Sequence, residues 1–138
     1  MDINSVLKKD EIPCLNTLSP LTLAFLGDSV YEMFIRTKIL AGGNRPANEL
    51  HKIAVGYVKA KAQANAAHKI FEMLTEEELS VYKRGRNTNI HTVPKNADMA
   101  DYRHATALEA LIGYLYLKGN EERLLEILNV AFDSLSEA

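Results

Sequence analysis

Three carboxylates stand inside the two most apolar stretches of this chain, where charge is costly. Between Pro20 and Ile35 the only charged residues are Asp28 and Glu32, four positions apart and therefore on one face of a helix. Between Ala105 and Leu117 the only charged residue is Glu109. A buried carboxylate without a partner loses its hydration, so each needs a cation, a metal or a network of donors. Two acidic side chains converging from two buried helices suit a hard divalent ion bound through oxygen. The competing reading is a set of separate ion pairs with Arg36, Lys38 or Arg103.

A second feature lies in the distribution of charge. The chain of 138 residues has a net charge of −2. From Lys83 to Arg103, however, five basic residues (Lys83, Arg84, Arg86, Lys95, Arg103) face only Asp98 and Asp101. That segment carries +3 and the rest of the chain −5, much of it in the last predicted helix. A basic segment on an acidic body is the pattern of a localised anion-binding face, with a charge-rich solvated loop as the alternative.

The elements that must position these groups are all helical, and no strand alternation is evident. Met1–Leu18 reads as an irregular lead-in with at most a short helical turn. Ser19-Pro20 supplies an N-cap and a proline at the first helical position, and Gly42-Gly43 closes the helix. Apolar residues lie nearly all round this helix, which predicts burial on every side, centrally or at a subunit interface. Pro46 opens the next element, and Ala47–Leu74 reads as two helices with a bend near Gly56. The alanines at 60, 62, 64, 66 and 67 permit close packing. Thr75 with Glu78 forms a capping box for a helix fading near Gly85. A loop over Asn87–Asn96 follows, then a helix over Ala100–Lys118 ended by Gly119. Asn120 caps a final helix with Leu124, Leu125, Leu128, Ala131 and Phe132 inward.

Composition excludes several classes of function. No apolar run reaches the roughly 20 residues of a membrane span, and Met1-Asp2-Ile3-Asn4 lacks the basic, then apolar, start of a signal peptide. Cys14 is alone, which rules out an intrachain disulfide and a cysteine-built zinc site. His51, His68, His91 and His104 lack metal-ligand spacing. There is no phosphate-binding glycine loop and no nucleophilic serine motif. The expectation is a cytoplasmic protein with one domain over residues 1–138.

Leu23-Ala24-Phe25-Leu26-Gly27-Asp28-Ser29-Val30 closely resembles the ribonuclease III signature, Leu-Glu-Phe-Leu-Gly-Asp-Ser/Ala-Val. Glu109-Ala110-Leu111-Ile112-Gly113 resembles that superfamily's second motif, Asp-x-x-Glu-Ala-Leu-Ile-Gly. Two family carboxylates are replaced, by Ala24 and Thr106. The Mini-III branch, which has the catalytic domain alone, shows such reduced motifs. It also carries the patterns seen here as Arg84-Gly85-Arg86-Asn87, Pro94-Lys95-Asn96-Ala97 and Tyr102-Arg103-His104-Ala105-Thr106. The resemblance covers Leu18–Leu117.

The resemblance implies an all-α, dimeric, ribonuclease III endonuclease-like helical bundle without a separate double-stranded-RNA-binding domain. It implies a Mg²⁺-dependent endoribonuclease acting on double-stranded RNA, with Asp28 and Glu109 as metal ligands and catalytic core. Mg²⁺ keeps several waters, so two protein carboxylates suffice. Thr106 is expected either to orient a metal-bound water or to bond the preceding helical turn. Glu32 is expected to support the site from behind Asp28 or to pair with Arg36. Arg84, Arg86 and Lys95 are expected on phosphate and Asn87 and Asn96 on sugars, with Arg103 a further RNA-binding residue. Phe25, Leu26 and Ser29 are expected at the dimer interface. The implied substrate is the large-subunit ribosomal RNA precursor, with a ribosomal protein as a further partner. The competing readings are an inactive relative that binds structured RNA and a helical interaction dimer indifferent to RNA.

Overall fold

A computed structural model describes residues 3–89, 95 and 97–136, and seven α-helices without strands lie among them. The lead-in holds more structure than expected: α1 (Ile3–Leu7) and two 3-10 turns, Lys9–Glu11 and Leu15–Thr17. Lys9 pins it to the body, donating to the Tyr116 carbonyl at 3.2 Å with its ammonium over the Tyr116 ring.

Helix α2 (Pro20–Ala41) starts as predicted, with the Ser19 hydroxyl accepting from the Thr22 N–H at 3.2 Å. Helices α3 (Ala47–Val58) and α4 (Ala60–Phe71) divide at Lys59, not at Gly56. Gly56 stays helical because one glycine costs only about 1 kcal/mol. The division falls where the last carbonyls of α3 find donors. Tyr31 donates its hydroxyl to the Tyr57 carbonyl at 3.4 Å, and Gln63 its amide to the Val58 carbonyl at 2.8 Å. Orphan carbonyls at a helix end require such partners.

The capping box forms, opening α5 (Glu76–Asn87). The Glu78 carboxylate also takes two hydrogen bonds of 2.8 Å from Arg123, whose guanidinium donates to the Met73 carbonyl as well. This pair ties the start of α5 to α7 (Glu121–Ser136), and the Arg123 contact holds the Glu78 carboxyl below its usual range. In α7, Leu124, Leu128 and Ala131 are buried and Phe132 stacks on Tyr57 at 4.9 Å. Leu125, expected inward, is 51% exposed because it points off the packed stripe.

Helix α6 (Met99–Lys118) runs through the centre, in contact with α2, α4, α5 and α7. It opens on Asp98, whose carboxylate accepts from the Asp101 N–H, and closes at Gly119 with φ 80°. The helix buried on every side is therefore α6. Helix α2 buries Leu23, Gly27, Tyr31 and Ile35 but leaves Phe25 81% and Met33 60% exposed, because none of the described elements covers that face. Such a stripe of large apolar groups is costly to leave in water and marks an interaction surface.

Candidate active site

The site is set where α2 crosses α6. A Cβ on Gly27 would lie 1.7 Å from the backbone oxygen of Glu109, and one on Gly113 2.1 Å from that of Leu23. Both positions admit only glycine, and the two backbones touch as no pair of substituted residues allows. Asp28 follows Gly27 directly, while Glu109 itself supplies the carbonyl that Gly27 meets. The glycines of both motifs thus bring the two carboxylates together.

Glu109 is half-buried, and Asp28 is open to solvent on the outer face of α2. The second position departs from the expectation of two buried carboxylates, for the same reason that Phe25 is exposed. The Glu109 carboxyl is pushed up to about 9, first by burial and then by its hydrogen bond to Asp28 and the negative charge there. Gln63 opposes the shift, its nearby side-chain amide favouring the ionised Glu109. Carrying its proton, Glu109 donates to Asp28. Tyr31, one turn after Asp28 and fully buried, has its hydroxyl held well above its ordinary range, first by burial and then by Glu109 once that carboxyl ionises.

A cation between the two oxygens relieves the repulsion that the proton now relieves, so the pair fits a divalent ion. Among the described residues no group of three or more His, Cys, Asp or Glu converges. Two carboxylates suit an ion that retains water, as Mg²⁺ does, rather than a closed four-ligand zinc site.

This chemistry has a thermodynamic signature in the metal-free protein. The folded state keeps on Glu109 a proton that the unfolded chain releases near the ordinary 4.5. Between about 4.5 and 9 the folded state binds more protons, so this contribution to stability declines as pH rises. His104, held below its ordinary 6.5 chiefly by burial, acts in the opposite sense only below that value. In chelator, the melting temperature is expected to fall from pH 7 to 9, and Asp28→Asn to flatten the fall. A divalent ion is expected to stabilise most at the alkaline end, where it no longer competes with a proton.

The other expected site residues separate into groups. Glu32 pairs with Arg36 at 2.7 Å, one of its two anticipated partnerships. Thr106 is buried and donates to the Tyr102 carbonyl at 2.9 Å, the backbone bond of the preceding turn. Lys83, Arg84 and Asn87 line an open basin of about 650 Å³ beside Pro20 at the start of α2. Arg86 is partly buried, its Nε donating to the Asn87 side chain at 3.3 Å. Arg103 turns inward and donates to the Arg86 carbonyl at 3.2 Å, so it fixes the end of α5. Lys95 is exposed, while Asn96, His91 and Pro94 lie outside the described residues.

Sequence reasoning missed Gln63, whose signal was faint: an uncharged polar residue in an otherwise small-residue stretch of α4. It also missed that His68 and His104 meet, ring centroids 4.6 Å apart, with His104 Nδ1 2.7 Å from the Tyr82 hydroxyl. Nothing in their spacing announces that contact.

Among known proteins, the Ribonuclease III domain model matches residues 21–120. The chain is 52% identical to a Mini-ribonuclease 3 of Thermoanaerobacter, over 88% of this chain and 85% of the relative. It is 56% identical to a Mini-ribonuclease 3 of Brevibacillus brevis, over 85% and 87%. A crystal structure of a Fusobacterium nucleatum protein, 38% identical, superposes with a TM-score of 0.78, covering 85% of this chain and 93% of that one.

Proposed function

Because this chain belongs to the ribonuclease III family, among the Mini-ribonuclease 3 proteins, and is thereby an endoribonuclease, we propose that it hydrolyses double-stranded RNA at Asp28 and Glu109. The family is metal-dependent, and in this reading the ion is Mg²⁺. When bound, Mg²⁺ supplies a Lewis acid for phosphoryl oxygen and an ionised water at neutral pH. Asp28, open to solvent, and the half-buried Glu109 would hold the ion between them, Glu109 after losing its proton to water. The observation that carries this reading is the contact of the two carboxylates at the Gly27–Gly113 crossing.

The substrate in this reading is held by Arg84, Arg86 and Lys95 on phosphates and by Asn87 and Asn96 on sugars. Arg103 acts by fixing the segment they stand on. These contacts position duplex without strong sequence preference. Removing Arg84 and Arg86 together is expected to lower the slope of log affinity against log salt by about two. An unchanged slope, measured by filter binding, would take this segment out of the RNA site.

Cutting both strands calls for two sites, and the uncovered face of α2, with Phe25, Leu26 and Ser29, provides the surface for a second copy. Phe25→Glu is expected to turn a dimer into a monomer in light scattering; a wild-type monomer with full activity would contradict the arrangement. In this reading residues 1–138 act as one catalytic domain in the cytoplasm. The large-subunit ribosomal RNA precursor is the substrate, with a ribosomal protein as assisting partner. No described helix is long and apolar enough to cross a membrane.

The test is cleavage of a long duplex RNA with Mg²⁺, with and without chelator. Cleavage that stops with chelator supports the proposal; binding without cutting, or cutting in chelator, would overturn it.

A further inference from the structure

Gln63 is 4% exposed, yet its Oε1 is the one buried side-chain oxygen or nitrogen among the described residues without a hydrogen-bond partner. Leaving a buried polar atom unpaired costs about 1–3 kcal/mol, so such an atom calls for a function. The amide orientation is fixed, because the opposite one would face the Gln63 oxygen against the Val58 carbonyl that now accepts from Nε2 at 2.8 Å. Helix α4 packs on α6, and the Gln63 amide lies near enough to Glu109 to favour its ionised form. Nε2 carries two hydrogens. One is spent on Val58, and the other is available for the Glu109 carboxylate.

The surroundings reinforce the link. The break at Lys59 leaves the carbonyls of Tyr57 and Val58 without helical partners. Tyr31, one turn from Asp28, caps the first; Gln63, against Glu109, caps the second. The end of α3 is thus held by two side chains that also flank the carboxylate pair. Ala24 and Thr106 bring no carboxylate to this site, and Thr106 spends its proton on Tyr102.

Resting on the reading of Asp28 and Glu109 as the metal pair, we propose that Gln63 is a positioning residue of that site. One amide hydrogen holds the Glu109 carboxylate, and the unpartnered Oε1 accepts from a water belonging to the ion. A neutral amide does this without adding a third negative charge beside two carboxylates already in conflict. Residues that orient a metal's ligands are typically worth about 10–100-fold in affinity or activity.

The test follows two signals in the wild-type protein during a Mg²⁺ titration by NMR: the Gln63 side-chain amide and the Glu109 carboxyl carbon. Both are expected to shift together and saturate at the same concentration. Gln63→Leu, of similar size but without polar atoms, is expected to weaken Mn²⁺ binding in calorimetry by about 10-fold or more. It is also expected to lower kcat comparably, with the KM for duplex changed less than about twofold. A Glu109 shift with an unmoved Gln63 amide, or Mn²⁺ affinity unchanged in Gln63→Leu, overturns the role of Gln63 alone. If neither signal moves, the metal pair and the proposal fall together.

Discussion

Asp28→Asn and Glu109→Gln are each expected to lower kcat on duplex RNA by about 10³-fold or more. Metal ions contribute several kcal/mol to stabilising charge in the transition state, and each 1.36 kcal/mol is worth tenfold in rate. Both substitutions keep the size of the side chain and remove its charge, so the helix crossing survives while the ion loses half of its protein ligands. The KM for RNA is expected to change only a few-fold, because the basic residues on phosphate lie on α5 and beyond. Glu32→Gln is the control: its partner Arg36 is an exposed residue one turn away, and exposed pairs are worth at most about 1 kcal/mol. Single-turnover cleavage checks all three. A large loss in Glu32→Gln with Glu109→Gln near wild type would move the chemistry toward Glu32 and away from Glu109.

Gly27→Ala is expected to destabilise the protein severely and to abolish cleavage even where the chain remains folded. Its Cβ would lie 1.7 Å from a backbone oxygen, against 3.4–4 Å for ordinary contact. Overpacking typically costs about 1–3 kcal/mol when side chains can shift. Here the obstacle is the main chain of α6, so relief requires the helices to part by more than an ångström. That separation draws Asp28 from Glu109, and a misplacement of about 1 Å can cost 10²-fold in rate. Gly56→Ala is the contrast. A Cβ there meets nothing within 4 Å, so replacing a helical glycine is expected to stabilise by about 0.4–1 kcal/mol. Thermal denaturation of the two variants beside wild type separates the cases.

Much of the architecture is legible in the sequence because local signals mark it. Ser19-Pro20, the Thr75/Glu78 box and Gly119 each set a helix end by chemistry confined to a few residues. The division at Lys59 is not local: it depends on Tyr31 and Gln63 reaching carbonyls from other helices, so Gly56 misleads. Exposure along α2 was equally hidden, since periodicity reports that a face is apolar and not which partner covers it. At the site, Asp28 and Glu109 are readable as charges in apolar surroundings, and Gly27 and Gly113 as members of motifs. Arg103 and Thr106 are less so, because Arg103 Nη1 and the Thr106 hydroxyl meet nearby carbonyls, which sequence cannot distinguish from contacts with substrate. Gln63 acquires meaning only when α4 is laid against α6.

Whether the carboxylates of α2 and α6 together hold one divalent ion is decided by a crystal grown with Mn²⁺ and its anomalous difference map. One strong peak is expected in contact with both Asp28 and Glu109, absent from Asp28→Asn crystals. Mn²⁺ bound elsewhere, or the two carboxyls still sharing a proton at saturating Mn²⁺ and neutral pH, would contradict it.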